Sequence, residues 1–123
     1  MEDKREALIE AGRNRFRKTG FKKTGVADVA KDTGIAVGSF YKYFDSKEEL
    51  FYRIYVRENE QLKQRLFDNM DIKDDPVALV TKLVSENAFH MNKNPILREW
   101  YNTDLMAKLE YYFRKGKGVE SIE

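Results

Sequence analysis

Apolar residues recur at helical spacing along most of the chain, and no stretch alternates as a strand would. Leu8, Ala11, Gly12 and Phe16 mark the inner face of a first helix over residues 4–18, which Gly20 ends as a left-handed cap followed by Phe21. Val26, Val29 and Ala30 repeat the spacing over residues 26–33 and stop at Gly34. Ile35, Phe40 and Phe44 supply another stripe just beyond that glycine. Two helices meeting across so short a turn must cross steeply, which is the geometry of a helix-turn-helix.

Farther along, Ser46-Lys-Glu-Glu49 reads as a capping box opening a long fourth helix toward Met70. Its apolar positions fall in two groups, Leu50, Phe51, Ile54 and Tyr55, then Leu62, Leu66, Phe67 and Met70. Between them Arg57-Glu-Asn-Glu-Gln61 is polar on every face, so the helix reads as a solvated strut bridging two bodies. Asp74-Asp-Pro76 combines an N-cap with proline at the first helical position. The fifth helix that follows is predicted to bury Val80, Leu83, Val84, Asn87, Ala88 and Met91. Asn94-Pro95 breaks it and starts a short sixth helix to about Tyr101. Thr103 or Asn102 caps a seventh, with Leu105, Met106, Leu109, Tyr112 and Phe113 as its stripe, and residues 117–123 read as a tail after Gly116.

The fold class is therefore all-α: a three-helix head with a helix-turn-helix over residues 1–46, a connecting helix over 47–70 and a partial helical body over 71–123. With no cysteine among 123 residues, disulfides, thiol catalysis and thiolate zinc sites are excluded. One histidine, no glycine-rich phosphate loop and no acid-base constellation give an enzyme nothing to work with, so neither catalytic nor metal residues are assigned and no cofactor is expected. No run approaches a membrane span and the first residues lack a signal peptide's apolar segment, from which a cytoplasmic protein is expected.

The net charge of +2 is unevenly placed. Residues 1–50 hold 11 Lys and Arg against 9 Asp and Glu, whereas residues 51–123 hold 12 of each. Within the head, Arg13, Arg15, Arg17, Lys18, Lys22 and Lys23 fall in one stretch without an acid, a local excess suited to phosphate. A solvated helix face explains Arg13 and Arg17 equally well, whereas Lys22 and Lys23 directly precede the helix-turn-helix. With Phe40 and Phe44 turned to the core, Val37, Gly38, Ser39, Tyr41, Lys42 and Tyr43 remain for DNA. Val37 suits a thymine methyl, Ser39 a base edge, and Lys42 guanine or a phosphate. Tyr41 and Tyr43 carry hydroxyls for phosphate oxygens. Thr24 suits both the cap of the second helix and a phosphate beside it, and Lys47, which opposes the helix dipole, points to an anionic partner.

The run Gly34-Ile-Ala-Val-Gly-Ser-Phe-Tyr-Lys-Tyr-Phe44, followed by Ser46-Lys-Glu-Glu-Leu50, resembles the tetracycline-repressor-like (TetR) transcription regulators. Gly20-Phe21, Thr24, Val29-Ala30, Gly38, Tyr41, Phe44 and Lys47 match at the family's spacing over roughly the first fifty residues. The chain departs from the family at Arg15, where leucine is usual, at Gly25 and Ala36, where hydroxyl residues are usual, and at Tyr43, where histidine is common. The resemblance implies a ligand-responsive repressor that binds a pseudo-palindromic double-stranded operator as a homodimer and is released by a small-molecule inducer. It also implies that Gly38 lets the backbone approach DNA. Family members are longer, and the two C-terminal helices of their dimer bundle have no counterpart after Phe113, so a truncated body with uncovered apolar surface is expected. Phe89, Trp100, Tyr101, Met106, Tyr111 and Tyr112 are candidates for an inducer pocket, although ordinary core packing explains most of them, and His90 reads as a packed or surface residue. A contrasting reading is a helical protein-interaction module with the head as scaffold.

Overall fold

The computed structural model describes residues 3–71 and 73–122, with side chains through Gly116; Met1, Glu2, Ile72 and Glu123 lie outside the described residues. All regular elements among them are helical, as the apolar spacing predicts. They are α1 (Lys4–Thr19), α2 (Val26–Thr33), α3 (Val37–Phe40), α4 (Lys47–Asp68), α5 (Pro76–Lys93), a 3-10 helix (Leu97–Tyr101) and α6 (Thr103–Ile122). Helix α1 packs on both α2 and α4, α2 packs on α3, and α5, the 3-10 helix and α6 each pack on α4.

The head's core is aromatic. Phe16 of α1 and Phe21 after it both meet Phe51 of α4 edge-on, with ring centroids 5.2 Å apart in each pair. Edge-to-face contacts of this kind add directional preference to the burial of three large rings. Leu8, Ile9, Leu50 and Ile54 close the same interface at 3% exposure or less. Helix α1 starts on the Asp3 carboxylate, which accepts from the Arg5 and Glu6 amides. Gly20 ends it with φ 88° and ψ 164°, a positive φ but an extended ψ rather than the left-handed cap expected from the sequence.

Helix α4 opens with Ser46 Oγ accepting from the Glu49 amide at 3.1 Å. The reciprocal bond of a capping box is displaced by one residue: Glu49 Oε1 accepts from the Asp45 amide at 2.8 Å. The helix ends at Asp68, before Met70, and Phe67 faces outward at 58% exposure. The polar centre of α4 is not a solvated strut. Glu58 is 5% exposed, its Oε1 accepts from Nε of Arg13 in α1, and its Oε2 accepts from Asn94 Nδ2 at 3.0 Å. The sequence pattern misled because a buried carboxylate with two donors looks the same, residue by residue, as a solvated one.

Asn94 does further work at the break between α5 and the 3-10 helix, where its Oδ1 accepts from the Ile96 and Leu97 amides at 2.9 and 3.2 Å. Asp75 caps α5 and Pro76 occupies its first turn as predicted. The predicted buried face of α5 is not formed. None of its residues is buried; Leu83 and Met91 lean on the core, while Val77, Val80 and Val84 are 73%, 60% and 65% exposed. The helix packs chiefly on α4 and the 3-10 helix, which cover one side of it. Asn102 accepts from the Leu105 amide at 3.1 Å at the head of α6, and Leu105 and Leu109 are buried as expected.

The sequence reading stops this last helix near Gly116, but it runs through Ile122. Gly116 lies inside it, and a Cβ there would clash with the Tyr52 hydroxyl of α4. The side chains of the remaining expected tail lie outside those described.

Two outcomes test these contacts. Glu58→Ala leaves Arg13 and Asn94 without their acceptor and is expected to lower the unfolding free energy by about 2 kcal/mol. That is less than the ~3–5 kcal/mol of a fully buried pair, because the half-exposed Arg13 can turn to water; urea denaturation with an unchanged midpoint would contradict the assignment. Burial pushes the Tyr55 phenol up from 10.0 to about 12. Between those values the folded state keeps a proton that the unfolded chain has lost, so the stability present below pH 10 falls as pH rises toward 12. Ultraviolet titration should show a tyrosine that ionises late, absent in Tyr55→Phe; all seven tyrosines titrating together would refute this.

Candidate nucleic-acid interface

The turn between α2 and α3 is set by Gly34, whose φ of 74° and ψ of 24° place it in the left-handed region. Its amide bonds back to Lys31 O, and the following Ile35 amide to Ala30 O at 3.0 Å, so the chain reverses within a few residues of the end of α2. Ala30 is 1% exposed, and its small side chain permits the close crossing of α2 and α3. Helix α3 is a short element: four α-helical residues, continued by turns in which Lys42, Tyr43 and Phe44 bond back to Ser39 and Phe40 carbonyls. Ala36 stands at its N-cap without a side-chain bond, as expected for alanine there.

Phe40 and Phe44 are 0% and 1% exposed, their rings tilted against each other with centroids 5.7 Å apart, and anchor this segment. Arg5 of α1 lies over the Phe44 ring at 5.1 Å. The anchoring turns the opposite side outward. Val37 is 44% and Tyr41 52% exposed, Gly38 and Lys42 are exposed, and Ser39 is half-buried. A Cβ added to Gly38 would meet nothing within 4 Å, so the fold itself does not require glycine at that place. Tyr43 is half-buried against the core. Lys22 and Lys23 are exposed in the turn after α1.

Two predicted residues, Thr24 and Lys47, and the basic run of α1 sit differently from expectation. Thr24 does not cap α2; Gly25 holds the N-cap position, and its amide donates to Asp28 Oδ2 at 2.9 Å. Thr24 is 1% exposed, donates from its hydroxyl to Gly20 O at 2.8 Å and shares a 3.0 Å bond with the Thr19 hydroxyl, which ties the α1–α2 turn together. Lys47 does not extend into solvent: Nζ donates to Phe21 O at 2.9 Å and lies over the Phe21 ring at 4.1 Å. Desolvation lowers its pKa, with Glu48 opposing and the Lys108 charge of α6 reinforcing the shift. The basic run from Arg13 to Lys23 is not one free patch. Arg13 is held by Glu58, and Arg15 forks onto Asp32 of α2 at 2.6 and 2.8 Å, holding that carboxyl below its usual range. Arg15 thus clamps α1 to α2 at the place where an apolar residue would pack.

The candidate ligand residues are only partly brought together. Trp100 and Met106 line a cavity of about 310 Å³ with Phe113 and the stems of Glu110 and Arg114. Phe89, Tyr101 and Tyr111 are exposed at 53%, 62% and 57% and lie outside it. Tyr112 is half-buried with its hydroxyl 3.0 Å from Ser46 Oγ, a link from α6 to the cap of α4 that sequence spacing gave no means of finding. His90 is half-buried, its ring edge-on to Phe89. Among the described residues no cluster suited to a metal is present, and no helix is long and apolar enough to cross a membrane.

Residues 8–54, from the middle of α1 into α4, match the family of bacterial regulatory proteins designated tetR. Over these residues the chain is a member of the tetR family. Two curated Bacillus subtilis relatives are similar to it. The uncharacterized HTH-type transcriptional regulator YerO is 40% identical across 98% of this chain and 50% of its own length; YfiR, likewise an HTH-type regulator, is 43% identical across 42% of this chain and 26% of its own. The chain therefore spans half or less of the length of these relatives. Its fold is similar to that of the fatty acid degradation regulator FadR from Bacillus halodurans, with a TM-score of 0.63 at 20% identity, covering 93% of this chain and 62% of that one. It is also similar to the Thermus thermophilus FadR, a TetR family transcriptional repressor solved with lauroyl-CoA, with a TM-score of 0.63 at 20% identity over 92% of this chain and 69% of that one. At this identity the two structures speak to the fold alone.

Proposed function

We propose that this chain is the DNA-reading head and part of the regulatory body of a transcription repressor. In this reading the head binds a pseudo-palindromic operator as one half of a homodimer and leaves it when a small-molecule inducer occupies the body. The observation that carries the reading is the anchored α2–Gly34–α3 unit, in which Val37, Gly38, Tyr41 and Lys42 are exposed and residues 37–44 take part in no ion pair among the described residues. Val37, Gly38 and Ser39 are small enough for the backbone to approach base edges, and Lys42 reaches guanine or phosphate. Tyr41, Tyr43 and Lys23 contact the backbone, which fixes register without reading sequence. Lys47 contributes its remaining N–H bonds from beside Phe21. Thr24 serves from below by holding the turn that presents Gly25 and α2. Two-fold pairing follows from the size of the reading element, since one short helix contacts too few base pairs for useful specificity.

The cavity beneath Trp100, Met106 and Phe113 is the proposed inducer site. Its apolar walls suit an aliphatic or aromatic portion of a ligand, and its volume lies near the lower end of the roughly 300–1,000 Å³ of small-molecule sites.

Selection from a random duplex pool is expected to return an inverted repeat. Lys42→Ala should weaken binding to it about tenfold and, if the contact is to phosphate, reduce the salt slope by about one. Gly38→Ala should raise thermal stability by up to ~1 kcal/mol, as alanine favours helix, while lowering affinity. Retained duplexes without a shared motif, or full affinity in both variants, would leave the head as scaffold and refute this reading.

A further inference from the structure

A second cleft, of about 630 Å³, opens between α1, α4 and α5 and shares no lining residue with the apolar cavity. Its chemistry is opposite to that cavity's. Arg13 and Glu58 form its floor and satisfy one another, with Asn94 as the second donor to the carboxylate. Three further cations line it: Arg17 from α1, Arg65 from α4 and Lys93 from α5. No described carboxylate pairs with any of the three. Lys93 rests over the Phe89 ring at 4.3 Å, a contact that leaves its charge uncancelled. Gln64, which also lines the cleft, donates from Nε2 to Asp68 Oδ1 at 2.9 Å.

Three like charges from three separate helices repel one another, and nothing in the fold requires them to share a cleft. An anion with several oxygens removes the repulsion and takes forked hydrogen bonds from the two guanidinium groups. We propose that this cleft binds a small phosphate-bearing anion, which would bridge the head's α1 to α5 of the body. The site is separate from the DNA-facing side of α3 and from the Trp100 cavity, and the inference does not depend on either assignment.

The test uses inorganic pyrophosphate as probe, titrated into the whole chain by calorimetry at physiological ionic strength, with the His90 ring followed by NMR because it lines the cleft. Saturable binding that perturbs His90 and weakens at least tenfold in Arg17→Gln/Arg65→Gln, and measurably in Lys93→Gln, is expected. These side chains lie at the surface or on the cleft rim, and circular dichroism checks that each variant is folded. Lys42→Gln distinguishes general attraction of phosphate to the DNA-facing side: it should leave pyrophosphate affinity unchanged. The absence of saturable binding, or binding that survives the double substitution, or binding lost in Lys42→Gln, would each overturn the proposal.

Discussion

The buried carboxylate of Glu58 is the constraint from which the arrangement of head and body follows. A charge at 5% exposure is tolerated only when donors satisfy it, and here the donors come from two elements distant in sequence, Arg13 and Asn94. Each donor has a second duty. Arg13 belongs to α1, so the bond fixes the rotation of the head about α4; Asn94 ends α5 and starts the 3-10 helix, so the same carboxylate fixes where the body begins. An apolar residue at position 58 would fill the space without specifying either direction.

At the head, one backbone conformation plays the comparable part. Gly34 reverses the chain in the left-handed region, and the two phenylalanines beyond it then have only one side of α3 to bury. Everything exposed on α3 is exposed because Phe40 and Phe44 are not. The surface offered outward is therefore a consequence of core packing, and it needs no dedicated scaffold beyond Arg15–Asp32 and the Thr19–Thr24–Gly20 bonds that hold α1 to α2.

The elements whose formation depends on local chemistry were legible in the sequence. The bounds of α2, the Asp75-Pro76 start of α5, the Ser46 cap and the break at Asn94 all follow from residues within a few positions of the feature. What was not legible depends on partners far along the chain. A polar run on α4 reads as solvated unless Arg13 and Asn94 are known to meet it. Gly116 reads as a stop unless Tyr52 is known to need its space. Lys47 reads as reaching outward unless the Phe21 carbonyl is known to lie within 2.9 Å. On α5, apolar periodicity predicts a face fit for burial, yet burial also needs a neighbour, and α4 and the 3-10 helix cover only part of that helix.

Helix α4 is thus held at two places by different chemistry. Near its middle the Glu58 carboxylate joins it to α1 and to the start of the 3-10 helix; at its first turn the Tyr112 hydroxyl of α6 meets Ser46, while Tyr112 and Phe113 pack against the Tyr52 ring at 5.9 and 5.1 Å. Ser46 also accepts the Glu49 amide, and Lys47 next to it is bound to the Phe21 carbonyl of the head. Phe113 in turn lines the apolar cavity with Trp100 and Met106. A contiguous path of packed and hydrogen-bonded groups therefore runs from that cavity to the residue that caps α4. A displacement of Phe113 that carries Tyr112 with it removes a partner from Ser46, beside the lysine that ties α4 to the head. Coupling along such a path requires an element with two arrangements whose balance both ends can shift. The physical candidate for such an element is the Ser46–Tyr112 bond, because Ser46 retains the Glu49 amide as a partner when the tyrosine leaves, so the broken arrangement costs α4 no cap.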